Sequence, residues 1–210
     1  MKEPTQYRRE LKDKIVECAT RMFLKHGVRS VKMDDIASHL SISKRTLYEL
    51  FGNKEELLHA VVVEKHAMNR LWYEQLSRSA TNVMDILIGE IRMRMQQVDE
   101  VNPLFFSEMS AYPSVVSLVN RHREQRMLHS REFLERGVRE GFFLPGVDYN
   151  LVCRIMDSVI YSTLVSKHND VDMQGLFHVS ILLFIRSICT KQGLMVLDPV
   201  LSEMKGGKAS

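Results

Sequence analysis

The sequence predicts an all-α protein, and three observations carry that expectation. Apolar residues recur at helical spacing along almost the whole chain, no useful run alternates with the period of a strand, and Gly and Pro fall where helices stop and start. The 210 residues, 45% hydrophobic and 26% charged, suit a globular chain of one or two domains. About nine helices are expected. They would form an N-terminal three-helix helix-turn-helix domain over residues 8–68 and a helical body over 69–200.

Each element has its own signal. Ile15, Cys18, Ala19, Met22 and Phe23 form one stripe of a first helix, and Gly27 supplies its stop. Asp34 and Asp35 favour the positive end of a short second helix, whose buried side would be Ile36, Ala37 and Leu40. After the tight connection Ser41-Ile42, Ser43 is the expected N-cap of a third helix at about 44–51, which buries Leu47 and Phe51. Gly52 breaks it. Asn53 with Glu56 three residues later resembles a capping box and opens a long fourth helix, to about Leu76.

Longer helices follow. One spans about 82–98, two more start at Pro103 and Pro113, and "GFFLPG" forms the loop after them. Two closing helices are expected at about 148–167 and 172–190, and "KGGKAS" reads as a frayed tail. The segment "LFHVSILLFIRSIC" is apolar on nearly every side. It belongs either at the centre of a bundle or between its own core and a second subunit.

Charge is unevenly placed. Residues 1–54 hold twelve Lys/Arg against seven Asp/Glu, whereas the remainder holds seventeen against nineteen. A basic quarter on a slightly acidic body points to a nucleic-acid contact confined to one end. Cys18, Cys153 and Cys189 lie far apart in apolar helical patterns and form no zinc spacing or disulfide framework, which fits a reducing compartment. "MKEPTQYRRELKDK" has no apolar leader core, and the apolar runs are too short to span a bilayer, so a soluble cytoplasmic protein is expected.

The second and third helices have helix-turn-helix spacing, in which the second of the pair enters the major groove by its first turn. Here that turn is Ser43, Lys44, Arg45 and Thr46. Free backbone N–H groups and the helix dipole attract phosphate there. The Arg45 fork can bond guanine O6 and N7 together, and Tyr48, one turn on, can give its hydroxyl to a phosphate or base. Lys54 sits at the next helix N-terminus, where a cation opposes the dipole and a phosphate partner would explain it. A lone basic pair on a helix is ordinarily just solvated; the capped position inside a basic quarter is what argues otherwise.

The stretch from Ile15 to Val62 resembles the DNA-binding domain of the TetR family of transcriptional regulators. The resemblance rests on Ala19-x-x-x-Phe23, Gly27, "MDDIA", "SxxTLYxxF" and "NKEEL". It implies a homodimer that binds double-stranded DNA at a palindromic operator and joins through its last two helices, with an unknown small-molecule effector in the body. By position, Ser43, Lys44, Arg45, Thr46 and Tyr48 would face DNA, with Lys54 and Lys32 on phosphate. Four departures stand out. Ser41 replaces a usual Gly, so a non-Gly residue has to accept φ > 0. Lys32 replaces a capping Thr or Ser, Leu50 replaces a backbone-contacting Tyr or His, and Arg45 stands where Gly is frequent.

The resemblance also implies an effector pocket, for which Trp72, Met93, Met95, Phe105, Phe106, Met109, Tyr112, Arg123 and Met127 are candidates. The 13 methionines suit an adaptable apolar cavity. Arg123 or His122 could orient a polar ligand group, although an ion pair accounts for Arg123 equally well. His59/His66 and His122/His129 are spaced i, i+7, unlike the i, i+4 pairs of helical metal sites. No nucleophile elbow, metalloprotease helix or phosphate-cradling loop is present, so neither enzyme activity, metal nor cofactor is expected. The main expectation is a ligand-responsive repressor. The alternatives are a TetR-like DNA-binding protein with a structural or division-control role and no effector, or an enzyme or carrier that kept the fold and lost DNA binding.

Overall fold

The computed structural model describes residues 6–102, 104–165, 179 and 181–206; the side chains of 97–100, 124–128, 160–165, 181–182 and 204–206 lie outside the description. The regular elements among the described residues are helices, with α1 Gln6–His26, α2 Met33–His39, α3 Lys44–Leu50, α4 Lys54–Ser79, α5 Val83–Glu100, α6 Leu104–Met109, α7 Pro113–Arg139 and α8 Tyr149–Val165. A π-helical stretch, Ile181–Ile185, runs into the short α9 Arg186–Ile188, and α10 Lys191–Gly206 follows. The all-α expectation holds among these residues. None of their helices is long and apolar enough to cross a membrane.

Two compact units form. The first takes the residues up to Asn69 together with Glu100–His122. Its core is the stripe expected from sequence: Ile15, Cys18, Ala19 and Phe23 of α1, Ile36 and Ala37 of α2, Leu47 of α3, and Leu57, Leu58 and Val61 of α4 are buried. Phe105, Val115 and Leu118 complete it. Burying side chains of this size contributes about 1.5–3 kcal/mol each, which is what holds helices as short as α2 and α3 in place.

The turns follow their chemistry. Gly27 closes α1 with φ 81°, and its N–H reaches Phe23 O at 2.9 Å. Asn102, just before α6, caps the same helix end, its backbone N–H donating to Leu24 O at 2.7 Å and its amide to Lys25 O at 3.4 Å. Lys32 is the extended residue before α2; its N–H donates to the Asp35 carboxylate at 2.7 Å, since the lysine side chain has no acceptor to offer. Ser41 takes φ 53°, as the missing glycine required. Ser43 caps α3, its hydroxyl accepting from Thr46 N–H at 3.0 Å. Asn53 Oδ1 accepts from Glu56 N–H at 2.9 Å, while Glu56 reaches Gly52 N–H at 3.0 Å, one residue earlier than a regular capping box.

The second unit takes Arg70–Asp99, Arg123–Thr163 and the described residues from 179 onward. Its core joins Val83, Met84, Leu87 and Ile91 of α5 to Leu134, Phe143, Ile188, Leu197 and Leu201. The turn after α7 is tied to the start of α10. Leu144 N–H donates to Ile188 O at 2.8 Å and Thr190 N–H to Phe142 O at 2.9 Å. A Cβ on Gly137 would stand 2.0 Å from the Phe143 ring, so only glycine admits that ring.

One expectation needs correction. The helix predicted at 172–190 ends at Ile188 where it is described, residues 172–178 and 180 lying outside the described set, and the chain then builds a further helix, Lys191–Gly206, that was not expected; residues 207–210 of the expected tail lie outside the described set. Thr190 caps α10 through Oγ1, which accepts from Gly193 N–H at 3.2 Å. Gly193 and Pro199 are poor helix formers by type. Tertiary burial of Leu197, Val200 and Leu201 overrides them, although Pro199 leaves the Met195 carbonyl without its usual donor.

Two measurements check the turn chemistry. Ser41→Gly should raise stability by about 1 kcal/mol by relieving the left-handed backbone, read as a melting temperature a few degrees higher. Gly27→Ala should lower stability by about 2 kcal/mol. It meets both the positive φ and a Glu108 oxygen 3.0 Å from the added carbon.

Candidate nucleic-acid interface

The third helix is only seven residues long and is held on one side by Leu47, which is fully buried. That burial turns the opposite side outward. Ser43, Lys44, Arg45, Tyr48 and Glu49 are exposed and Thr46 is half-buried, so five of the seven predicted contacts share one surface. The N-cap is doubly tied, because Ser43 and Thr46 hydroxyls also lie 2.7 Å apart. The other end is held from α1, where Arg8 donates to Glu49 O at 3.2 Å. Sequence spacing gives no sign of that contact, which joins residues 41 apart.

Both cations of the first turn have carboxylate partners. Lys44 Nζ lies 2.6 Å from Asp34 of α2, and Arg45 Nε lies 2.8 Å from Glu49 one turn on. The hydrogen-bonded carboxylates raise the pKa of each above its ordinary value. Side chains this exposed form weak pairs, so phosphate or a base edge can take over the same donors. With Nε engaged by Glu49, the two terminal nitrogens of Arg45 remain for a guanine edge.

Lys54 and Lys32 differ from these. Lys32 is exposed at the start of α2. Lys54 is half-buried, donates to Arg29 O at 3.3 Å and lies 5.9 Å from the centre of the Phe23 ring. Burial pushes its pKa down, opposed by the fields of Glu108 and Asp35. The carbonyl and the two carboxylates thus give an intramolecular reason for a lysine at a helix N-terminus, beside the phosphate partner that its position suggests. Leu50, one of the departures, packs against the head core.

The candidate effector residues fall in different places. Phe105 is buried in the first core, with Phe106 edge-on to it at 5.3 Å and Met109 and Tyr112 packed alongside. Trp72, Met93 and Met95 are half-buried in the second unit, Met95 against its core. Arg123 is paired with Asp157 of α8. The Met127 side chain lies outside the described set. The His66 and His122 rings pack 4.0 Å apart in the first unit. An open depression of about 300 Å³ in the second unit is lined by Arg131, Glu135, Val138, Tyr149 and neighbours, and contains none of the nine candidates. Among the described residues no cluster of three or more His, Cys, Asp or Glu could hold a metal.

Comparison with known proteins adds to this geometry. Residues 15–61 match the family "Bacterial regulatory proteins, tetR family". The chain is 26% identical over 153 residues to the HTH-type transcriptional repressor KstR2 of Mycolicibacterium smegmatis, covering 69% of this chain and 73% of that protein. Its fold is similar to that of a TetR-family regulator from Agrobacterium tumefaciens, with a TM-score of 0.70 at 18% identity, covering 87% of this chain and all of the other. A regulator from Saccharomonospora viridis solved with choline superposes with a TM-score of 0.68 at 17% identity, again over 87% of this chain and 100% of its own. With the capped, outward-facing α3 and the matched motifs on the same residues, residues 15–61 carry the DNA-binding domain of the tetR family of bacterial regulatory proteins, and the chain is similar to a transcriptional repressor over two thirds of its length.

Proposed function

We propose that this regulator is a ligand-responsive repressor that binds a palindromic operator as a homodimer. The observation that carries the DNA half of the reading is the basic first turn of α3. It is capped at Ser43, anchored by Leu47 and exposed at Lys44, Arg45 and Tyr48. In this reading Arg45 reads a base edge, Lys44 and Tyr48 take neighbouring phosphate or base atoms, Ser43 and Thr46 present the helix N-terminus to phosphate, and Lys32 and Lys54 flank it. The repressor KstR2 supports the sign of regulation, and the choline-bound regulator of the same fold supports a small-molecule effector in the helical body.

The dimer half is supported by apolar side chains that are exposed among the described residues. Leu151 and Ile155 of α8 stand at i and i+4 and are 54% and 44% exposed. Val179 and Leu183 are similarly spaced and 49% and 63% exposed. Apolar residues at helical spacing on two neighbouring stretches of chain suit a self-complementary face between two copies. The interface expected at 148–167 and 172–190 includes these residues; 166–178 and 180 lie outside the described set.

Selection of bound fragments from a random DNA pool, followed by a metabolite screen for release, tests the whole reading. Once a site is in hand, affinity should fall steeply as salt rises, because each phosphate contact releases a counterion. Arg45→Ala should lower discrimination at one or two base pairs per half-site by about 1–3 kcal/mol each, whereas Lys54→Ala should weaken all sequences alike. Equal loss across scrambled sites for Arg45→Ala would remove it from base reading. Ile155→Arg should convert the protein to monomers in sedimentation velocity and abolish binding to the full palindrome. A dimer unaffected by that charge would place the interface elsewhere.

A further inference from the structure

Three contacts converge on the turn between α1 and α2, and they come from outside that turn. The Glu108 carboxylate of α6 accepts the Arg29 N–H at 2.7 Å. Lys54 of α4 donates to Arg29 O at 3.3 Å, so the backbone of one residue is gripped from two helices. Asn102 occupies two carbonyls in the last turn of α1, at Leu24 and Lys25. The approach is close: a Cβ on Gly27 would stand 3.0 Å from Glu108 Oε2 and 3.3 Å from the Leu104 Cβ. A fourth tie lies nearby, where Glu55 of α4 accepts both the N–H and the hydroxyl of Ser114 at the start of α7, at 3.0 and 2.6 Å. The backbone N–H and C=O of Arg29 are therefore satisfied by α6 and α4, and α6 lies well beyond the residues that match the family.

We propose that Glu108 is a positioning residue for DNA binding: its hydrogen bond to Arg29 fixes the turn that leads into Lys32 and α2, and through it the register of the helix-turn-helix. A carboxylate accepting a backbone N–H makes a charge-assisted bond, about twice as strong as a neutral one. Only Ser30 and Val31 separate Arg29 from Lys32, whose own N–H is held by Asp35 at 2.7 Å. A shift of the turn is passed directly to the start of α2. The DNA-binding unit of this chain thus extends to α6 and is not closed by residues 15–61. The proposal rests on the reading that α3 docks into DNA.

The test uses the full chain and an operator selected from a random pool. Fluorescence anisotropy would measure affinity for wild type, Glu108→Ala and Glu108→Gln, with hydrogen exchange followed over the peptide 27–32. The bond lies at the surface and outside the core, so both variants should fold. Glu108→Ala should bind about tenfold more weakly and exchange faster at 27–32, while Glu108→Gln, which keeps an acceptor for Arg29 N–H, should bind within about threefold of wild type. Wild-type affinity in Glu108→Ala overturns the proposal. So does equal loss in both variants, which would mark a field or folding effect in place of the hydrogen bond. Failure of the wild type to select any DNA sequence is a separate result, and it would remove the DNA reading itself.

Discussion

A helix of seven residues has too few internal hydrogen bonds to persist in water, so the surface proposed to read DNA depends on how α3 is held. One side chain dominates that hold. Leu47 is fully buried among α1, α2 and α4 residues, with Phe51 closing the core just past the helix end. Burying Leu47 fixes the rotation of the helix about its axis, and rotation decides which residues face out. The two end ties, Ser43 on Thr46 and Arg8 on Glu49 O, then fix its length and tilt. Lys44, Arg45 and Tyr48 point outward as a consequence of a leucine pointing in.

The head was legible in sequence because its signals are local. A stripe at helical spacing, a stop at Gly27, caps at Ser43 and Asn53 and a forced positive φ at Ser41 are each settled within a few residues, and each appears in the fold. What escaped is long-range. Arg8 meets Glu49, Glu108 meets Arg29 and Glu55 meets Ser114 across tens of residues, and no spacing rule brings them together. The same reason explains α10. Gly193 and Pro199 speak against a helix locally, and only the burial of Leu197 and Leu201 in the second core outweighs them. The candidate effector residues were chosen by type, and type does not separate a core aromatic such as Phe105 from a cavity wall.

The reading surface is also electrostatically quieter than its sequence implies. A basic quarter suggests unopposed positive charge, yet Asp34 and Glu49 hold the two cations of the first turn. Those carboxylates lie on the side that would meet phosphate, so any association exchanges weak exposed ion pairs for contacts with a polyanion. That exchange trims indiscriminate attraction to DNA more than it trims a well-fitted site, where directional bonds to base edges replace what is given up. In the proposed mode of binding, specificity would come partly from acids that touch no base.

The tie between the turn after α7 and the start of α10 has a different kind of consequence. Phe142 to Leu144 are bonded to Ile188 and Thr190, with Gly137 left bare to admit the Phe143 ring. The chain between these two points leaves from, and returns to, a single fastened root. Loop-closure entropy grows only slowly with length, so the excursion could gain or lose residues at little thermodynamic cost. Such a root fixes where the excursion begins and ends whatever its length, so the register of α10 on the second core does not depend on how long the intervening chain is.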